Sequence, residues 1–196
     1  MTTSRFIKKD EIKRVVKTLA KTRNGARNTA IVMFLTYTGA RVNEAFKVKL
    51  GDLYDFDSGK IKEQMILKDT KGGTDRLIFI SAKLQGHLQQ YFNDSPRIHL
   101  IKSNSDNPLF PSERNIQKFI RPVSGCRLVN NILTRAGVET TSHGFRKQFC
   151  YNLRALTKDL HICMTAMGHK NPSTTSIYWK GDEMEVHTAV SNLNLG

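Results

Sequence analysis

Apolar residues recur at helical spacing along most of the chain, and a Gly-Gly turn marks a short part with a β-like pattern instead. The glycine pair lies between two short β-like runs, residues 61–67 and 76–80, so it predicts a β-hairpin. In residues 8–21 the apolar side chains share one helical face and lysines occupy the other. The apolar positions of that face are Ile12, Val15, Val16 and Leu19. The sequence therefore predicts a mainly α fold with a small antiparallel β-sheet (α+β).

Further helices are predicted from the same periodicity and from their start and stop signals. They cover residues 26–38, 81–93, 114–120, 124–136, 142–156, 158–167, 172–179 and 183–193. Gly39 and Gly137 stand where a left-handed residue commonly ends a helix. A third strand is predicted around residues 53–56, and a surface loop over residues 94–115.

The chain carries a large excess of positive charge. Lysine and arginine total 31 against 17 aspartate and glutamate residues, which gives a formal charge of 31 − 17 = +14. Such an excess is typical of proteins that neutralise a phosphate backbone, although ribosomal and basic membrane-surface proteins share it. The basic residues are spread among hydrophobic segments, which favours a folded basic surface over a charged tail.

Cysteine usage and hydropathy indicate the compartment. Cys126, Cys150 and Cys163 are widely spaced, without a C-x-x-C pair, which argues against a disulfide scaffold or a zinc ribbon. No apolar run reaches the roughly 20 residues of a membrane span, and the N-terminus has no signal-peptide core. We expect a protein without a membrane partner, either cytoplasmic and nucleoid-associated or of viral or mobile-element origin and acting inside a host cell.

Four side chains that can handle phosphate lie at fixed intervals near the C-terminus. They are His143 and Arg146 in His-Gly-Phe-Arg, His169 in Met-Gly-His, and Tyr178 nine residues later. Arg41, in Thr-Gly-Ala-Arg, adds a second arginine just after a predicted helix end. Arginine binds phosphate oxygens through paired charge-assisted hydrogen bonds, histidine moves protons, and tyrosine can form covalent intermediates. This set favours metal-free attack on a DNA phosphodiester.

A side chain that breaks a phosphodiester needs cations around the phosphate, a proton acceptor and a proton donor. Tyr178 is the candidate nucleophile, and its ordinary pKa of ~10 means that a base or neighbouring cations must assist it. Arg41, Arg146 and His169 are the candidates for the charge around the non-bridging oxygens, where electrostatic stabilisation is usually the largest catalytic contribution.

The remaining proton-transfer roles fall to a histidine and a lysine. His143 precedes Arg146 by three residues, which places both on one helix face near an N-terminus that Ser142 is expected to cap. Lys71, at the tip of the predicted hairpin, is the candidate donor to the departing 5′ oxygen. Metal binding is not expected, because the histidine spacings match no compact ligand motif and no carboxylate or thiol joins them. Each residue alone is commonplace, and the inference depends on their joint order.

Together these segments resemble the catalytic domain of the tyrosine recombinase (phage integrase) family, over about residues 6–182. The resemblance rests on five segments, namely residues 38–44, 70–76, 143–146, 167–169 and 173–178. The separations also agree with the family, with 23 residues from Arg146 to His169 and 9 from His169 to Tyr178. By this resemblance Glu44 supports Arg41, and the catalytic lysine is Lys71, with nearby Lys68 as the alternative.

The resemblance implies a reaction and an assembly. Family members cleave a strand to a 3′-phosphotyrosyl link and a free 5′-hydroxyl, without metal, ATP or another cofactor, and act as homotetramers on paired sites in double-stranded DNA. It implies a catalytic domain over residues 1–182 and a C-terminal helical tail over 183–196 that docks on a neighbouring protomer. Most relatives carry an N-terminal DNA-clamping domain, so this chain is either a single-domain recombinase, as its start favours, or a fragment.

Basic residues outside the motifs are expected to contact DNA. The N-terminal helix carries a row of them, and Lys147 keeps a cation where the family often has histidine. The predicted DNA-binding residues are Lys8, Lys9, Lys13, Arg14, Lys17 and Lys147. Two other functions stay open, a type IB topoisomerase-like strand relaxation and a DNA-binding regulator without catalysis. Relaxation of plasmid that lacks a special site would favour the first of these.

Overall fold

Helices form most of the chain that the computed structural model describes, which is residues 4–68, 75–96 and 98–168. The helices are α1 (Lys9–Leu19), α2 (Gly25–Thr38), α3 (Val42–Ala45), α4 (Leu50–Leu53), α5 (Ala82–Asp94), α6 (Ile98–Ile101), α7 (Pro122–Arg135), α8 (His143–Thr157) and α9 (Leu160–Met167). The strands are β1 (Tyr54–Asp55), β2 (Lys60–Ile61), β3 (Gln64–Leu67) and β4 (Arg76–Phe79). The predicted fold class is confirmed. No helix among the described residues has both the length and the hydropathy needed to cross a bilayer.

Helix α2 is the centre of the fold and packs against α1, α5 and α8. Its side chains are buried on nearly every face, with Ile31, Phe34 and Leu35 fully buried, as expected for a helix that is surrounded by others. Gly39 ends α2 in the left-handed region, at φ +59°, as predicted. A Cβ at Gly39 would lie 2.4 Å from Cδ1 of Phe149, so α8 packs directly against this turn.

The β-structure consists of two antiparallel ribbons. Strands β3 and β4 form the predicted hairpin, with Gln64 opposite Phe79 and Leu67 opposite Arg76. The strand predicted around residues 53–56 does form, as β1, but it pairs with β2 and not with the hairpin. The run 61–67 is therefore divided between two ribbons.

The helix predicted over residues 114–120 was wrong. Asn115 accepts a hydrogen bond from the backbone N–H of Gln117 through its side-chain oxygen, and the backbone folds back so that Ser112 bonds Lys118. Asparagine side chains that bond nearby backbone in this way compete with helix formation. The segment predicted as a loop over 94–115 also contains one short helix, α6.

Two further expectations concern helix ends. Ser142 does precede α8, but its φ and ψ are helical and its side chain makes no cap hydrogen bond, so that predicted cap was wrong. Gly137 adopts the predicted left-handed conformation after α7, at φ +65°. The predicted helices 172–179 and 183–193 lie outside the described residues.

Candidate active site

Arg41 lies at a tight corner between α2 and α3, where Glu44 holds it from two sides. The Glu44 carboxylate accepts a hydrogen bond of 2.8 Å from the Arg41 backbone N–H and one of 2.7 Å from its Nη1. Glu44 is 6% exposed, whereas the Arg41 side chain is 26% exposed. The Glu44 carboxylate thus holds the Arg41 backbone and one side of its guanidinium, and the rest of the guanidinium faces outward.

Burial alone would raise the pKa of Glu44. Hydrogen bonds from the Arg41 backbone and side chain, together with the charges of Arg76 and Arg41, outweigh that effect and hold the pKa below its ordinary value. Glu44 is therefore ionised at neutral pH, and one buried carboxylate is shared by two arginines.

Arg146, on α8, joins two distant parts of the chain. It is 2% exposed, and its guanidinium donates 2.6 Å to the Gly39 carbonyl and 2.5 Å to the Met167 carbonyl. Gly39 precedes Arg41 by two residues, and Met167 ends α9. Because a buried cation must be paired or hydrogen-bonded, the position of Arg146 fixes the α2–α3 corner against the end of α9.

Arg76, the first residue of β4, completes this region although the sequence patterns gave it no role. Its side chain is 5% exposed, and it donates 3.3 Å to the Glu44 carboxylate and 2.5 Å to the Ala166 carbonyl. A signal was present, because side chains alternate along a strand and Arg76 shares the inward side of β4 with buried Ile78.

His143, the first residue of α8, lies near three cations. Its pKa lies below the ordinary value, first because its ring is partly desolvated and then because Arg146, Lys147 and Arg41 are close. His143 nevertheless keeps an exposed side. An imidazole that is neutral at neutral pH and open on one side can accept a proton from a substrate or a nucleophile.

Three predicted catalytic residues, Lys71, His169 and Tyr178, lie outside the described residues. His169 directly follows Gly168, which ends α9 in the left-handed region at φ +62°. The alternative lysine, Lys68, is described and is exposed at the end of β3. It lines a cleft of about 370 Å³ that Glu44 also borders.

Most of the predicted DNA-contacting cations lie on α1. Lys9, Lys13 and Lys17 are exposed there, and Lys8 is exposed directly before the helix. Arg14 is exposed too, but it donates 3.3 Å to the Gly137 carbonyl and lies 3.8 Å from Glu11.

Lys147, the predicted DNA contact on α8, is half-buried. Its Nζ donates to the carbonyl of Ser4 in the segment before α1. In this structure the ammonium group therefore binds the protein's own backbone.

Comparison with known proteins assigns the family. Residues 5–185 match the phage integrase family. The chain is 28% identical over 186 residues to tyrosine recombinase XerA of Pyrococcus horikoshii, covering 95% of this chain and 60% of that protein. It is 28% identical over 163 residues to the TnP I resolvase of Bacillus thuringiensis, covering 83% of this chain and 53% of that protein.

Solved structures show the same fold. The crystal structure of XerA recombinase has a TM-score of 0.71 at 22% identity and covers 95% of this chain and 62% of that chain. A post-cleavage complex of XerH recombinase with palindromic difH substrate has a TM-score of 0.68 at 22% identity, covering 96% and 53%. This chain belongs to the phage integrase family, and it spans about three fifths of the length of the XerA relatives.

Proposed function

We propose that the chain is the catalytic region of a site-specific DNA recombinase that cleaves and rejoins strands through a 3′-phosphotyrosyl intermediate. The observation that carries this proposal is the buried Arg146, whose bonds to Gly39 and Met167 draw three separate motifs to one place. Family membership and the basic charge of +14 support a DNA substrate.

Each candidate residue has a defined task in this reaction. The Tyr178 oxygen attacks phosphorus, a P–O bond forms, and the bond from phosphorus to the 5′ oxygen breaks. Arg41, Arg146 and His169 stabilise the charge on the non-bridging oxygens. His143, neutral at neutral pH, takes up the phenolic proton. Lys71, or Lys68 in its place, protonates the leaving 5′ oxygen.

Rejoining reverses these steps with a different strand. A 5′-hydroxyl from a partner duplex attacks the phosphotyrosyl phosphorus and releases Tyr178, so the phosphodiester energy is conserved and neither ATP nor metal is consumed. Integration, inversion and excision then differ only in where the paired sites lie.

The proposed assembly is a homotetramer on two double-stranded DNA sites. Residues 1–182 form the catalytic domain in this proposal, and residues 183–196 dock on a neighbouring protomer. Among the structural relatives, XerH is described bound to difH substrate, and lambda integrase as a dimer bound to a core site. These complexes support DNA as the partner.

The test is to capture the covalent intermediate. The protein is incubated with fragmented DNA from its source, denatured with detergent, and the DNA that remains attached is sequenced. We expect one recurrent sequence, with the protein on the 3′ end and a 5′-hydroxyl that polynucleotide kinase labels without prior phosphatase treatment. Tyr178→Phe should bind the same DNA and form no adduct.

Each other outcome has a defined meaning. Adducts at unrelated sequences, together with relaxation of plasmid that lacks a recurrent site, would replace the proposal with topoisomerase-like activity. Sequence-specific binding without any adduct would leave a DNA-binding regulator. An adduct that persists in Tyr178→Phe would show that another residue is the nucleophile.

A further inference from the structure

We infer that Arg76 is a positioning residue for strand cleavage, which orients Glu44 and through it the guanidinium of Arg41. The inference rests on the proposed function, because it assigns Arg76 to the same site. The inference gives Arg76 no DNA contact of its own: its guanidinium acts through the Glu44 carboxylate and the Ala166 carbonyl, to which it donates.

The contacts around Arg76 form a closed ring. Arg76 bonds the Glu44 carboxylate at 3.3 Å, and Glu44 bonds the backbone and side chain of Arg41. On its other side, Arg76 bonds the Ala166 carbonyl at 2.5 Å.

The ring closes through Arg146. The residue after Ala166 is Met167, whose carbonyl accepts from Arg146, and Arg146 in turn donates to Gly39, two residues before Arg41. The ring therefore joins β4, the α2–α3 corner, α8 and the end of α9.

One oxygen of Glu44 has two donors. Oε2 accepts both the Arg41 backbone N–H, at 2.8 Å, and Arg76 Nη2, at 3.3 Å. The other oxygen, Oε1, accepts Arg41 Nη1. Because a carboxylate is planar and rigid, a rotation that follows loss of Arg76 would also move the oxygen that holds the Arg41 guanidinium.

A contribution to fold stability does not by itself explain why a buried arginine occupies position 76. The pKa of Arg76 lies below its ordinary value, first because its side chain is buried. The positive charge of Arg41 lowers the pKa further, whereas the carboxylate of Glu44 raises it without offsetting the burial. Its Nε–H is buried and has no hydrogen-bond partner among the described residues. A buried ion pair can often be replaced as a pair by apolar residues at no loss of stability. Stability therefore does not explain why an arginine stands here, whereas the directions of its two hydrogen bonds, to Glu44 and to Ala166, do.

Arg76 also contacts the turn that precedes His169. An added Cβ at Gly168 would lie 2.8 Å from Cδ of Arg76, and Gly168 has φ +62°. The side chain therefore packs directly against the left-handed end of α9. Arg76 thus links the hairpin, which is expected to carry the catalytic lysine, to both the Arg41 corner and the backbone that leads to His169.

The main test is Arg76→Lys, which keeps the positive charge but replaces the two-pronged guanidinium by a single ammonium group. The matched control is Arg27→Lys, because Arg27 is also a buried arginine, 8% exposed, that bonds a carbonyl and a carboxylate. It lies in the first turn of α2, eleven residues from the C-terminal end of that helix, or about 17 Å away by helix geometry.

The first readout needs no DNA. Hydrogen exchange of the Arg41 amide, measured by NMR, reports its bond to Glu44. We expect faster exchange of this amide in Arg76→Lys and unchanged exchange in Arg27→Lys. Unchanged exchange in folded Arg76→Lys would overturn the inference, whatever the protein's activity proves to be.

The second readout is the single-turnover rate of DNA cleavage at saturating DNA. The substrate is a nicked duplex that carries the sequence identified by capture of the covalent intermediate. In Arg76→Lys we expect this rate to fall about tenfold to a hundredfold, as small displacements of catalytic groups can cause, with unchanged DNA affinity. Arg27→Lys should lose thermal stability without losing rate. An equal loss of rate in the two variants would show a general structural effect and overturn the inference.

A double-mutant cycle separates action through Glu44 from an independent effect. Removing both buried charges in Glu44→Gln/Arg76→Gln avoids leaving either one unpaired, so the double variant should fold even if Arg76→Gln alone does not. We expect it to cleave no more slowly than Glu44→Gln. A further loss of rate in the double variant would contradict positioning through Glu44. A wild-type protein that forms no adduct would refute the proposed function and leave the exchange result to decide the role of Arg76.

Discussion

At the scale of single residues, Arg146 connects parts of the chain that are far apart in sequence. Its guanidinium is buried, and the two bonds to Gly39 and Met167 connect positions separated by 128 residues of sequence, since 167 − 39 = 128. The Met167 carbonyl belongs to the C-terminal end of α9, where the helix dipole favours a cation. The residue that the proposal gives to phosphate binding therefore also holds the site together.

Loss of this side chain should be costly to stability. In Arg146→Ala the Gly39 and Met167 carbonyls lose their donor inside the protein, so the free energy of unfolding should fall by about 2–4 kcal/mol. Urea unfolding measures the change. The control is Arg135→Ala at the exposed end of α7, for which a change within about 0.5 kcal/mol is expected. Equal effects would show that the Arg146 contacts contribute little.

His143 provides a pH-dependent prediction. Its pKa lies below 6.5 because its ring is partly desolvated and three cations are near. The unfolded chain therefore takes up the proton more readily, so stability falls as pH decreases from about 6.5 toward the folded pKa and is independent of this group above 6.5.

NMR titration measures the pKa of His143 directly. We expect a midpoint below 6.5, and in Lys147→Gln a midpoint that moves upward, because one neighbouring positive charge is gone. A midpoint that does not move would show that Lys147 exerts no appreciable field on the ring. The same titration in Lys83→Gln, on α5, controls for the loss of one charge elsewhere on the surface.

At the scale of elements, the segment before α1 crosses the start of α8. Lys147 donates to the Ser4 carbonyl, and Thr140 donates 2.8 Å to the Arg5 carbonyl. Phe6 stacks on Tyr151, with ring centroids 5.0 Å apart. The chain that enters the domain is thus packed on the helix that carries His143 and Arg146.

Gly144 shows how closely these elements approach. A Cβ there would lie 2.7 Å from the Arg5 carbonyl oxygen and 3.0 Å from Cγ1 of Ile7. Gly144→Ala should therefore displace the segment and lower the free energy of unfolding by about 1–3 kcal/mol.

Gly86 is the matched control for this substitution. It lies exposed inside α5, and an added Cβ would meet no atom of the described part of the chain within 4 Å. Gly86→Ala should raise the free energy of unfolding by about 0.5–1 kcal/mol through helix propensity. Thermal unfolding of both variants tests the pair, and a stabilised Gly144→Ala protein would contradict the described packing.

Long helices could be predicted from the sequence, whereas the four-residue helices could not. Helices α1, α5, α7 and α8 each present several turns of apolar spacing, which is enough to define a face. Helices α3 and α4 have four residues each, too few to repeat a pattern. The helix predicted over residues 114–120 does not form, and there the Asn115 side chain bonds the backbone N–H of Gln117.

The residues of the candidate site likewise divide into those that could be predicted from the sequence and one that could not. Arg41, His143 and Arg146 were predicted because their types and intervals form a recognisable set, and Glu44 was predicted from the family resemblance. Arg76 was not, because its partner Glu44 lies 32 residues away in sequence and the alternation along β4 indicates burial without indicating a partner. An arginine beside a glycine-rich turn is more often exposed.

At the scale of the whole molecule, the charge of +14 should make DNA binding steeply dependent on salt. Lys13 and Lys17 lie on the exposed face of α1. If both contact phosphates, Lys13→Gln/Lys17→Gln should reduce the slope of log affinity against log salt by about 0.9 for each lost contact.

The control for this variant is Lys60→Gln/Lys83→Gln, which removes the same charge from exposed lysines on β2 and α5. Fluorescence anisotropy over a salt series measures both slopes. Equal slopes in the two variants would show that α1 acts only through net charge and does not lie along the DNA.

The most direct measurement for the whole account is the identity of the residue joined to DNA. The denatured adduct is digested with nuclease and trypsin, and the modified peptide is sequenced by mass spectrometry. Cleavage after Lys170 and Lys180 gives a peptide of residues 171–180, and we predict the nucleotide on its Tyr178 through a 3′-phosphate. A nucleotide on any other residue, or a 5′-phosphate linkage, would contradict the account.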